Sequence, residues 1–247
     1  MSARLSFSRL FGTCSVLLGG LALATFLGGC NYAPRVSVDW RDGPFFEPTN
    51  YEGAALMPAD VRRVAVLPIH GGADVAAETV DALQAAANAA LLAEGRFETV
   101  AVGAEVTRAM TGRPTVTAAE LLPPALFTRI AQEHGADAVL FLEVTSYRPY
   151  TPLALGVRAK LVRCDETHAV LWSFDTLYDA RDTAVANSAK RHASGGRGGL
   201  VDAGPAALQS PSRYAAYVFA SVFATLPPRP APAVLPPKSK VPRHRAD

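Results

Sequence analysis

Two short, almost uninterrupted apolar runs, Val64 to Ile69 and Ala138 to Val144, constrain the fold of this chain most. Such runs suit strands buried on both faces, because helices then cover both sides of a sheet. Pro68 belongs at the end of the first run, since it cannot donate to a ladder. Between the runs, Val80, Leu83, Ala87, Ala90 and Leu91 follow helical spacing within Asp74 to Glu94, and Gly95 stands where a left-handed cap belongs. Arg96 to Val102 reads as a second strand. Thr117 and Glu120 have capping-box spacing and predict a helix start there. Pro123 and Pro124 interrupt it, and a new helix runs to His134, ended by Gly135. Leu155, Val157, Ala159 and Leu161 alternate as a strand with one wet face. Cys164 to Thr167 turns, and His168 to Tyr178 returns as the hairpin partner. Residues 181–210 are polar, glycine-rich and aperiodic, and are expected to form a long loop. Pro211 opens a last helix with an apolar stripe, Ala215, Val218, Phe219, Val222, Phe223 and Leu226, suited to core packing. The order predicts an α/β fold: one three-layer-like domain over 61–226, with a mixed sheet of about five strands flanked by helices.

The flanks are different in kind. Arg4 and Arg9 precede a segment, Leu10 to Leu27, without a charge, ending in Leu27-Gly28-Gly29-Cys30. This resembles the lipobox of bacterial lipoproteins. The resemblance implies a signal peptide over 1–29, cleavage before Cys30 and lipidation of its thiol. Asn31 follows the cysteine, where lipoproteins retained in the inner membrane of enteric-type bacteria usually carry Asp. The resemblance therefore implies the outer membrane, on its periplasmic face. Residues 30–60 hold several prolines and the aromatics Tyr32, Trp40, Phe45, Phe46 and Tyr51. They read as a tether, whose aromatics either stay on the tether or pack along the domain. The tail, 227–247, holds seven prolines in 21 residues and five basic side chains, and reads as a disordered end or a cationic arm.

Charge and cysteines narrow the function. The net charge of +2 pools unlike parts: without the two leader arginines, the five tail bases and the tail's Asp247, residues 30–226 hold 17 basic and 21 acidic side chains. A nucleic-acid binder places a basic surplus on its folded part, so nucleic acid is set aside. After loss of Cys14 and acylation of Cys30, Cys164 stands alone, which excludes an internal disulfide and cysteine-cluster metal sites. There is no Gly-x-Ser-x-Gly elbow and no P-loop lysine motif. The histidines, His70, His134, His168, His192 and His244, show no metal-ligand spacing. The expectation is a protein that is not an enzyme and has no cofactor, metal or catalytic residue. Glu143 interrupts an apolar strand and needs a partner such as Arg158 or Lys160. Trp172 and Phe174 alternate on the last strand. They are core by default, or a partner surface by strand addition if that strand is a sheet edge.

Three phrases carry a further resemblance: Arg63 to Ile69, His134 to Leu140, and Leu161 to Arg163 with Ala169 to Ser173 across the hairpin. They are similar to a superfamily of envelope lipoproteins. It includes the curli secretion-channel lipoprotein, lipoprotein activators of penicillin-binding proteins and the N-terminal domain of the Tol translocation protein. The chain has no pair of ten-residue alternating segments fit to span a membrane as a barrel hairpin. The resemblance implies a non-catalytic domain that docks to another envelope protein, or to further copies of itself, while Cys30 holds the bilayer. A second reading stays open: a lipoprotein binding a small ligand or glycan, or a cryptic hydrolase, with a pocket formed by Glu143, His70 and the 181–210 loop.

Overall fold

The computed structural model describes residues 40–72, 75–120, 122–195 and 204–230. Cys30, the leader, the first part of the tether, residues 196–203 of the expected loop and the tail from 231 lie outside them.

Strands β1 (Tyr51–Gly53), β2 (Arg63–Val66), β3 (Glu98–Ala101), β4 (Ala138–Arg148), β5 (Ala154–Arg163) and β6 (Val170–Asp179) form one mixed sheet in the order β1-β6-β5-β4-β2-β3. β2 pairs in parallel with β3 and β4, while β4, β5 and β6 form an antiparallel meander. The two apolar runs thus lie side by side at the centre, where both faces are covered. On one face, Leu140, Leu142 and Val144 of β4 pack with Trp172 and Phe174 of β6. They meet α1 (Ala77–Glu94), α4 (Thr183–Ala193) and α6 (Pro211–Ala224), whose Phe219 and Phe223 are fully buried. On the other face, Ala65, Val139 and Phe141 meet Phe127 and Ile130 of α3 (Pro124–His134). The fold is α/β and three-layered, with one strand more than expected.

Gly95 closes α1 at φ 62° and Gly135 closes α3 at φ 60°, the left-handed region that glycine enters without strain. The helix expected from Thr117 and Glu120 does not form. Glu120 pairs with Arg113 instead, and a helix absent from the sequence reading, α2 (Ala104–Thr111), precedes the segment.

The expected loop at 181–210 is corrected as well. Residues 183–193 form α4, capped by Asp182, whose carboxylate accepts from the Ala184 N–H at 2.8 Å. α4 buries Val185, Ala186, Asn187 and Ala189, and a short helix, α5 (Gly204–Ala207), precedes α6. Val185 is the one large apolar side chain among its buried residues, so the helix lacks the stripe of bulky apolar residues that marks α6.

Residues 40–60 belong to the domain, which therefore begins before Val61. Phe46 stacks edge-on against Tyr178 with centroids 5.2 Å apart, and its N–H donates to Ser188 Oγ at 2.8 Å. Met57 is fully buried, and β1 pairs with β6 from Tyr51↔Phe174 to Gly53↔Trp172. The first tail residues are held too. Pro228 accepts from the Met57 N–H, and Arg229 donates to the Val61 carbonyl.

Candidate docking face

The two faces of the sheet are covered unequally. β5 alternates, so Leu155, Val157, Ala159 and Leu161 enter the core while Arg158 and Lys160 point the other way. Their partners on β6 are Asp175 and Ser173, and β1 adds Glu52 beside Ser173. On this side α3 covers β2, β4 and the Val162 end of β5, while the α3-side core cluster includes no residue of β6 or β1 among the described residues. The result is a half-exposed polar strip with an exposed apolar residue toward each end, Val170 (55%) and Leu177 (52%).

Arg158 organises the strip. Its Nε donates to Asp175 Oδ2 at 2.8 Å, and its Nη1 lies 3.4 Å from Glu143 Oε1. The Asp175 hydrogen bond comes first among the contacts that raise the guanidinium pKa. The second oxygen of Glu143 accepts the Ala118 N–H at 3.1 Å. The odd charge in the central strand thus pins the segment before α3 to β4, and the Glu143 side chain keeps only 14% of its exposure. Lys160 has no ion-pair partner among the described residues.

Two hollows adjoin on the strip and share Lys160 and Ala118. One, about 180 Å³, is apolar, lined by Phe127, Phe141, Val162 and Val170. The other, about 360 Å³, is polar, lined by Asn50, Glu52, Arg158, Ser173 and Asp175. The sequence reading singled out Glu143 but not this strip. Alternation on β5 showed Arg158 and Lys160 facing away from the core, but not that their side of the sheet lacks a cover.

Trp172 and Phe174 are corrected as a partner surface. Their exposures are 0% and 2%, they stack on each other at 5.9 Å, and β1 occupies the edge beside them. Nor does any hollow described here bring Glu143 and His70 together with the described residues of the 181–210 segment. His70 bridges to Glu143 through backbone hydrogen bonds with Leu142 and Val144, and its Nδ1 lies 3.0 Å from Thr115 Oγ1. α4 lies across the sheet from them. Beside α4 is a separate, shallow hollow of about 640 Å³, lined by Phe45, Phe46, Arg191, His192 and Tyr217. Burial lowers the His192 pKa and pushes the Tyr217 hydroxyl up to about 12. Burial, then Asp137 and Asp165, push the Cys164 thiol up to about 12, which keeps it protonated near neutrality. Among the described residues no group of three His, Cys, Asp or Glu is placed to hold a metal ion, and no helix is long and apolar enough to cross a membrane.

Fold and strip together define an α/β domain with one half-exposed sheet face. No family model and no curated protein matches the chain. Among solved structures it is similar to the PelC dodecamer of Paraburkholderia phytofirmans, at 17% identity and a TM-score of 0.44, over 73% of this chain and 97% of that one. It is also similar to lipoprotein GNA1162 of Neisseria meningitidis, at 24% identity and 0.35, over 47% of this chain and 79% of that one. A third likeness is to the LpoB C-terminal domain of Salmonella enterica, at 20% identity and 0.31, over 47% of this chain and 82% of that one. At these scores the likenesses assign no role to any residue here.

Proposed function

We propose that this chain is a lipid-anchored, non-catalytic module of the bacterial cell envelope that works by docking to another envelope protein. The observation that carries the reading is the β5–β6 face, a half-exposed polar strip that the α3-side core covers only at its Val162 end among the described residues. Its acids Glu143 and Asp175 are engaged by one arginine. That arrangement fixes a surface. The leader ending in Leu27-Gly28-Gly29-Cys30 supports the anchor, and Asn31 favours the outer membrane, facing the periplasm.

Two measurements test the two halves. The intact mass of the native protein extracted from membranes should fit a chain beginning at an acylated Cys30. The mass of an unacylated 247-residue product overturns the anchor. A photo-crosslinker at Ser173 should join the chain in cells to one stoichiometric envelope partner. A folded protein that gives no crosslink there overturns the docking. Crosslinks between copies of this chain would make the partner a second protomer.

A further inference from the structure

The polar strip carries more acid than base. Glu52, Glu143 and Asp175 stand on it with Arg158 and Lys160. Arg158 is shared by Glu143 and Asp175, and Lys160 balances one charge more. Glu52 lines the polar hollow and has no ion-pair partner among the described residues. Glu120, at the rim, adds nothing, because Arg113 donates to both its oxygens at 2.5 and 2.6 Å. The strip is left with surplus negative charge, which favours an occupant that brings cations. The adjoining apolar hollow of about 180 Å³ has room for one bulky apolar side chain against Phe127, Phe141, Val162 and Val170.

One segment of this chain joins both properties. Residues 231–247, beyond the described ones, run Val234-Leu235-Pro236-Pro237 and then carry Lys238, Lys240, Arg243 and Arg245 against Asp247 alone. The chain enters that segment close to the strip. Pro227 lies against Gly53, where an added Cβ would meet its Cγ at 3.1 Å, and Gly53 follows Glu52 on β1. The Pro228 carbonyl accepts from the Met57 N–H, beside Leu56, which is 53% exposed. From Glu52 the row runs through Ser173 to Lys160, two strand spacings of about 4.8 Å each. A stretch of 17 residues can reach on the order of 55 Å, several times that distance. Its prolines limit the backbone freedom that docking costs.

Resting on the docking reading above, we infer that the basic tail of the same chain, residues 231–247, lies over this strip and holds the place that a partner takes. Leu235 enters the apolar hollow, and Lys238 and Lys240 meet Glu52 and Asp175. A partner docks by displacing the tail.

The test uses the full-length chain in lipid nanodiscs with a photo-crosslinker at Ser173. Mass spectrometry should find the crosslink in peptides from residues 231–247. Mixing isotope-labelled and unlabelled chains should place both ends in one chain. Glu52→Lys should cut the yield about fivefold or more, as should Lys238→Glu with Lys240→Glu, and the three changes together should restore most of it. Unchanged thermal midpoints show that the variants are folded. In cells, removal of residues 231–247 should raise the partner crosslink through Ser173 about threefold or more. Three outcomes overturn the inference: crosslinks that miss the tail, crosslinks that join a tail to a neighbouring copy, or yields indifferent to charge reversal. A partner captured through Ser173 equally well with and without the tail retains the docking reading and discards this one. A tail crosslink with no partner captured in either form retains the tail contact and discards the docking reading.

Discussion

The indole N–H of Trp172 donates to Thr225 Oγ1 across 3.1 Å, tying β6 to the C-terminal cap of α6. That hydroxyl in turn donates to the Val222 carbonyl at 2.7 Å, so the bond sits inside the cap. Trp172→Ala should therefore cost about 3–5 kcal/mol of stability, through a cavity and an unpaired cap. Trp172→Phe, which keeps most of the volume, should cost less. Urea denaturation measures both, and a near-neutral Trp172→Ala would return this ring to the surface.

Glu143 holds two elements at once, so its variants should separate. Glu143→Ala leaves the Ala118 N–H without its acceptor and Arg158 with one carboxylate, a loss of about 1–3 kcal/mol. Glu143→Gln keeps an acceptor for Ala118 and should lose clearly less. Hydrogen exchange of the Ala118 amide reads the difference directly. It should quicken in the alanine variant and stay near wild type in the glutamine variant.

Cys164 packs against the α3 side of the sheet and holds its proton well above the usual thiol range. Alkylation by iodoacetamide at pH 8 should be slow in the folded protein and fast in denaturant. Equal rates in the two states would show that the thiol is exposed.

Burial depresses the His192 pKa, the cost of charging an imidazole against Tyr217 and α6. The unfolded chain takes up a proton near pH 6.5, while the folded one resists until lower pH. The unfolded state therefore binds more protons in that window, and stability falls as pH drops through it. The urea midpoint should decline below about pH 6.5, before carboxylates such as Asp60, whose pKa is lowered chiefly by its hydrogen bond to Arg163, begin to protonate. His192→Gln should flatten the decline. An unchanged slope would assign it to other groups.

Much of the fold was legible because buried strands and capped helices write themselves into short stretches. Val64 to Ile69, Ala138 to Val144, the Gly95 and Gly135 caps and the β5–β6 hairpin each depend on residues within one or two turns of chain. α4 was not legible, since its buried face holds a single bulky apolar residue, Val185, beside small and polar ones. β1 was not either, being three residues whose strand character comes entirely from pairing with β6.

The sequence by itself determined the α/β order of elements, the central place of the two apolar runs and the need of Glu143 for a partner. Those follow from side-chain polarity and local spacing. Only the tertiary structure decided that Trp172 and Phe174 are core, that residues 40–60 wrap the domain, and that Arg158, Lys160, Ser173 and Asp175 share one open face. Each of those depends on which distant segment covers which side of a strand. Alternation names two faces, and packing alone chooses which one water keeps.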